Sequence, residues 1–264
     1  MTESQQKRAI LVIAHPGHEL RVHGWLEATS PEVWILTDGS GHTGRSRIES
    51  TTRVLEAAGA IPGPVYGSMS DVEFYNTVLG FDHQPLINLV EKLAAAIQHE
   101  EVDCIAGDAE EGYNPGHDTC RLIINAAVKL ARRQSSAIRN YDFTLVGRPD
   151  QCPDDLREHS LWLNLDDEAF ARKLSAARNY PELQVEVESA LNGGRNKTES
   201  QFRVECLRPV NSHAPAIRSL EVLPYYEQYG EKQVKSGYYK QVLRYSEHML
   251  PLSGALDSYV ERNS

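Results

Sequence analysis

Residues 9–14, AILVIA, form a continuous apolar run that stops at Pro16-Gly17. A short run of this kind, closed by breakers, predicts a parallel-sheet strand buried on both faces. It places His15 and His18 at the strand's carboxyl end. A second run, VWILT at 33–37, predicts another strand, followed by the glycine-rich turn DGSGHTGR and a helix from about Arg47 to Ala58. Leu86, Leu89, Val90, Leu93 and Ile97 recur with the spacing of an amphipathic helix. The next apolar run, VDCIAG at 102–107, predicts a strand that empties into the loop EEGYNPGHD. A helix over 119–133 and a strand DFTLVG at 142–147 complete the alternation.

The second half is less regular. LWLNL at 161–165 and QFRVECL at 201–207 predict strands, EAFARKLSAAR at 168–178 a helix, and NGGRNKTES at 192–200 an exposed loop. Beyond Pro209 the composition turns tyrosine-rich, and Val234, Tyr238, Val242 and Tyr245 share one helical face in a segment ended by Pro251. The expected fold is therefore α/β: a Rossmann-like, doubly wound, mostly parallel sheet with a Tyr-rich helical C-terminal extension. The expected division is a metal-binding α/β domain over 1–209 and an extension over 210–264, packed on that domain or on a partner subunit. A tyrosine face packs a core, or a homo-oligomer through the C-terminal helix, more readily than it cages a ligand.

Charge narrows the function. The 27 Lys and Arg against 37 Asp and Glu give a net charge of −10, which argues against a nucleic-acid partner, since that needs a basic stripe. The polar start MTESQQKR and the six-residue run behind it are too short for a signal-peptide core or a membrane span, so a cytoplasmic protein with no membrane partner is expected. Cys104, Cys120, Cys152 and Cys206 form no CxxC pair, so neither a disulfide framework nor a thiolate zinc site is expected.

The candidate chemistry lies in the two histidine turns. His15 and His18 are three residues apart across Pro-Gly, and His117 sits in a similar Pro-Gly-His turn. Neutral imidazole is a good zinc ligand, and three protein ligands with one open position make a catalytic site. Iron or another transition metal also accepts such ligands. Ordinary turn histidines fit the same spacing. DGSGHTGR lacks the Lys-Ser/Thr of a P-loop and does not satisfy GxGxxG.

AHPGHE at 14–19 resembles the AHPDDE signature of the LmbE-like N-acetylglucosaminyl deacetylases, the PIG-L family, and NPGHD at 114–118 resembles their second motif, HPDH. LTDGSG at 36–41, Arg47 and Glu49 opening a helix, Asp71 before an aromatic stretch and Lys173 in KLSAAR extend the likeness over about residues 8–207. The resemblance implies a zinc-dependent hydrolase acting on an acylated amino sugar or related amide, with His15 and His117 as ligands and His18 in place of the family's ligating Asp. It also implies a pocket lined by Asp38, Arg47 and Asp71. Gly17 stands at the family's general-base position, Asn114 at its second-motif His and Gly116 at the neighbouring Asp. Substitutes near the site by sequence are Glu19, Glu110, Glu111 and Asp118, with Asn114 and Tyr113 as donors to a developing oxyanion. Glu19 and Asp118 equally suit the role of orienting a ligating imidazole. His23 is expected as a packed or solvated histidine. The alternative function is a relative that has lost hydrolysis and serves as a binding or partner subunit.

Overall fold

Successive residues of the first strand face opposite layers, which explains why its sequence is apolar throughout. The computed structural model describes residues 8–41, 43–99, 102–133, 138–192, 199–210 and 223–263. Its strands are β1 (Arg8–Ile13), β2 (Glu32–Thr37), β3 (Ile61–Met69), β4 (Val102–Asp108), β5 (Arg139–Phe143), β6 (Leu161–Asn164) and β7 (Val204–Pro209). The helices are α1 (His23–Thr29), α2 (Ile48–Ala58), α3 (Asp71–Leu79), α4 (Gln84–His99), α5 (Pro115–Arg133), α6 (Asp167–Arg178), α7 (Gln184–Asn192), α8 (Tyr225–Lys235) and α9 (Leu250–Arg262).

Ile10 and Val12 of β1 join one core with Leu86 and Leu93 of α4, Ile123 of α5 and Leu252, Leu256 and Val260 of α9. Leu11 and Ile13 join a second core with Trp25 and Leu26 of α1 and Leu55 of α2. The sheet runs in the order β3-β2-β1-β4-β5-β7-β6, parallel through β5 and antiparallel at β7 and β6. This is the expected doubly wound, mostly parallel sheet. Its strand order reverses between β1 and β4, and the crevice beyond those two carboxyl ends is where such folds bind ligands.

A buried ion pair joins the layers. Glu205 of β7 accepts the backbone N–H groups of Gly24 (2.8 Å) and Trp25 (3.0 Å) and the Lys173 ammonium (2.7 Å). Lys173 also donates to the Arg21 carbonyl at 2.9 Å. Truncating one member of such a pair leaves a buried charge uncompensated.

Several expectations need correction. β3 is absent from the sequence reading because Pro62 and Pro64 break its pattern; it lies at the sheet edge, where a missing N–H costs no ladder bond. The strand expected at 142–147 ends at Phe143, because Leu145 and Val146 turn out of the sheet to donate their N–H groups to the Glu111 carboxylate. The helical face through Val234, Tyr238, Val242 and Tyr245 does not form. Helix α8 stops at Lys235, Gly237 takes a φ of +78°, and Tyr238 is exposed. Pro251 sits in the first turn of α9, which runs on from a π-helical turn over Tyr245–Met249, so the helix continues through the proline rather than ending at it. The loop expected at 192–200 lies largely outside the described residues, as does the stretch 211–222 that follows the expected boundary at 209. Among the described residues no helix is long and apolar enough to cross a membrane.

Candidate metal centre

The three histidines converge at the β1/β4 crevice. His15 and His18 follow β1, and His117 stands in the first turn of α5, which follows β4. Their ring centroids lie 5.4 Å (His15–His18), 5.5 Å (His15–His117) and 4.6 Å (His18–His117) apart. Zinc binds imidazole nitrogen at about 2.1 Å, so tetrahedral imidazole ligands have centroids roughly 5 Å apart. The observed spacing matches that estimate.

Carboxylates orient two of the rings. His15 Nδ1 lies 2.9 Å from Asp71 Oδ1 and 2.8 Å from Thr37 Oγ1, while the Thr37 hydroxyl donates to the Ala14 carbonyl at 3.0 Å. An acceptor carboxylate at Nδ1 assigns the proton to that nitrogen and leaves Nε2 as the lone-pair donor. Among the described residues, His15 Nε2 is buried without a hydrogen-bond partner, and so is His117 Nδ1. His18 Nδ1 faces both oxygens of Asp108, at 3.0 and 3.1 Å, and Asp108 Oδ2 also accepts the Ala14 N–H at 2.8 Å. Arg121 steadies this end of the sheet, donating to the Asp108 carbonyl (2.6 Å), Asn140 Oδ1 (3.0 Å) and the Tyr141 carbonyl (3.1 Å).

Electrostatics favour the neutral, ligating form of two of the three rings, His18 and His117. Burial holds His117 well below the usual histidine range, reinforced by the two neighbouring imidazoles. Burial also lowers His18, outweighing the opposite pull of Asp108. For Asp71, burial acts upward, but the hydrogen bond and charge of His15, with Thr37 and the Gly41 N–H, bring its carboxyl well below the usual range. The lowered His18 and His117 and the orphaned ring nitrogens of His15 and His117 fit a divalent ion. Among the described residues, however, no group of three or more His, Cys, Asp or Glu side chains is already arranged to hold one. The histidines form a cluster with the right spacing and chemistry, not a closed coordination sphere.

The other sequence candidates divide by place. Asp71 faces His15 with one oxygen and accepts the Gly41 N–H (2.6 Å) with the other. Asp38 caps its own loop through the Ser40 N–H at 2.9 Å, and Arg47 Nε donates to the Gly39 carbonyl at 2.5 Å. Gly39 packs against Pro16, so this loop borders the histidine turn. Asn114 caps α5: its Oδ1 accepts the Gly116 N–H (2.7 Å) and the Tyr75 hydroxyl (2.8 Å), which leaves the amide N–H group as a donor. Tyr113 is half-exposed and stacks on Tyr225.

Glu19 and Asp118 turn to backbone amides. Glu19, buried, accepts the Gly17 N–H and the Thr51 hydroxyl, both at 2.7 Å, and burial pushes its carboxyl up to about 7 against those bonds. Asp118 accepts the N–H groups of Glu111 (2.9 Å) and Gly112 (3.1 Å). Glu110 and Glu111 line a cleft of about 740 Å³ with Arg148, Arg157 and Arg208, and none of the three histidines borders it. His23 is buried, as a packed histidine. Among the described residues no disulfide forms: Cys104, Cys120 and Cys206 are buried and Cys152 is partly buried, and burial pushes Cys206 up to about 12.

Thr37 and Asp108 escaped the sequence reading. The available signal was an Asp ending a buried parallel strand, a position at the ligand-binding edge of such sheets.

Two of the positions that the resemblance assigns to proton transfer, Gly17 and Gly116, are glycines with neighbouring side chains packed where a Cβ would stand. Gly17 has a φ of +106°, and a Cβ there would stand 2.3 Å from Leu183 Cδ1. A Cβ on Gly116 would stand 2.8 Å from His15 Nε2, 3.0 Å from Asn114 Oδ1 and 3.1 Å from the Tyr75 hydroxyl.

Fold and site together define a doubly wound α/β protein with a histidine cluster at its switch point, and it is the fold, not the cluster, that its likeness to solved deacetylases concerns. Two of these are A40926 pseudoaglycone deacetylase Dbv21 and the zinc-inhibited form of teicoplanin deacetylase Orf2. Dbv21 is 17% identical, with a TM-score of 0.52, and the match covers 80% of this chain and 99% of that one. Orf2 is 11% identical, with a TM-score of 0.50, and the match covers 77% and 97%. At these identities the likeness establishes the fold. No family model matches the sequence, and no curated protein matches it.

Proposed function

We propose that this chain is a metal-dependent hydrolase that removes the acyl group from an acylated amino sugar or a similar small-molecule amide, with His15, His18 and His117 holding a zinc ion. The observation that carries this reading is the pair of buried, unpartnered ring nitrogens, His15 Nε2 and His117 Nδ1, beside a third imidazole at the switch point. A divalent ion held by these three residues would supply an electrophile able to polarise an amide carbonyl and acidify a water. Asp71 and Thr37 fix the His15 tautomer, and Asp108 fixes that of His18. Asn114 presents its amide N–H to the oxygen of the reacting carbonyl. Asp38 and Arg47 lie beside the histidine turn through the loop packed on Pro16, within reach of a sugar bound there. The fold shared with two deacetylases supports the same reaction class.

Metal analysis of the purified, zinc-incubated chain tests this reading, with His15→Ala and His117→Ala as controls. Stoichiometric zinc in the wild type and at least about tenfold less in each variant is expected. A wild type that takes up none overturns the proposal.

A second reading, a relative that binds the same ligand without hydrolysing it, is favoured by the closed positions at Gly17 and Gly116. A missing general base costs about 10²- to 10⁴-fold in rate. Acetate release from a panel of N-acetylated sugars, abolished by His18→Ala, would sink that alternative. Zinc uptake with no release would establish it.

A further inference from the structure

Helix α3 meets the histidine cluster along one face. A reciprocal cap fixes its start: Ser70 Oγ accepts the Glu73 N–H at 3.2 Å, and the Glu73 carboxylate accepts the Ser70 N–H at 2.8 Å. Phe74 is fully buried and ties the helix to the core. Asp71 and Tyr75 are four residues apart, so they lie one turn from each other on the same face. Asp71 orients His15, and Tyr75 reaches Asn114.

The chemistry of the second contact is determined by its partners. Asn114 immediately precedes α5, and its side chain meets the Gly116 N–H at 2.7 Å. A backbone N–H can only donate, so the atom it meets is the amide oxygen. The Tyr75 hydroxyl, 2.8 Å from that same oxygen, must then donate its own proton. Burial, reinforced by the Asp71 charge, raises the phenol above its ordinary range, so it keeps that proton. Both lone pairs of the oxygen are thereby filled, and the amide N–H groups point away from them. One cap bond alone would let the side chain swing; two donors from different helices remove that freedom.

This contact borders the cluster. The point where a Cβ on Gly116 would stand is 2.8 Å from His15 Nε2, 3.0 Å from Asn114 Oδ1 and 3.1 Å from the Tyr75 hydroxyl. The amide that Tyr75 holds is therefore a close neighbour of the unpartnered His15 nitrogen.

We propose that Tyr75 is a positioning residue: with the Gly116 N–H it saturates Asn114 Oδ1 and so holds the Asn114 amide as an N–H donor beside the histidine cluster. The target of that N–H, the carbonyl oxygen of a bound substrate, rests on the hydrolase reading, whereas the orientation of the amide rests on the hydrogen bonds.

Two measurements on the zinc-incubated full chain separate these. The NMR signal of the Asn114 side-chain amide, identified by its loss in Asn114→Ala, reads orientation without turnover. Tyr75→Phe keeps the ring and removes the hydroxyl, and it is expected to broaden that signal or split it in two, with zinc content unchanged. A signal that stays single and sharp overturns the proposal. Turnover of an N-acetylated amino sugar reads the consequence. Tyr75→Phe should lower kcat about tenfold with KM within about twofold, and Asn114→Ala should lower kcat about 10²-fold. The double variant should lose no more than Asn114→Ala alone, because Tyr75 acts through Asn114. Additive losses, a raised KM at full kcat, or a Tyr75→Phe kcat within about twofold of wild type overturn the proposal. Loss of zinc from Tyr75→Phe also overturns it and assigns the residue to holding the cluster together. A wild type without turnover, whose Asn114 signal still responds to Tyr75→Phe, fails the hydrolase reading alone.

Discussion

Gly17 illustrates how much a single residue commits this site. Its φ of +106° lies where a side chain is strained, and the space beside it belongs to Leu183 and Tyr180. Leu183 can shift, but the backbone cannot without moving the turn that carries His15 and His18. Gly17→Ala is therefore expected to destabilise the chain by about 1–3 kcal/mol, read from the urea midpoint. A change under about 0.5 kcal/mol, as at an ordinary surface position, would show that the turn relaxes freely. At this scale the histidines were legible because their residue type and turn positions are local. Asp108 and Thr37 were not, because their meaning comes from contacts across 90 and 22 residues of chain.

Elements were legible where one physical signal dominated. β1 and β2 lie in the sheet interior and read as unbroken apolar runs. Helix α4 buries Leu86, Leu89, Val90, Leu93 and Ile97, the residues its periodicity nominates. Edge strand β3 was hidden by its two prolines, and the C-terminal segment was misread because Tyr238 fits a helical spacing that Gly237 interrupts. The consequence for α9 is testable. Leu256 is buried in the core shared with β1, α4 and α5, so Leu256→Ala should cost about 2–5 kcal/mol, whereas Tyr238→Ala should stay within about 0.5 kcal/mol. Equal effects in chemical denaturation would mean that α9 contributes little to the common core.

On the scale of the whole molecule, stability should depend on pH through buried histidines. Burial lowers His23 below its ordinary 6.5, against the pull of Glu27 and Glu205, and its Nδ1 has no partner among the described residues. A folded pKa below the unfolded one gives stability that is present above 6.5 and lost as pH falls through the folded value. His18 and His117 act in the same direction. Glu19 opposes them: its value of about 7, above the ordinary 4.5, makes the folded state gain a proton and stability as pH falls between those values. Comparing wild type with His23→Gln isolates one contribution. The variant's melting temperature should fall less between about pH 7.5 and about pH 5.5, and parallel curves would refute the assignment.

The space around Gly116 also bears on which substitutions the site accepts. A side chain there, such as the Asp of the HPDH motif, must first displace His15 Nε2 or the pair formed by Asn114 and Tyr75. Placing a carboxylate at 116 alone therefore disturbs the histidine cluster, and accommodating one requires coordinated changes in its neighbours. The glycine acts as a keystone: three side chains lean into the space it leaves, so their positions and its lack of a side chain are set together.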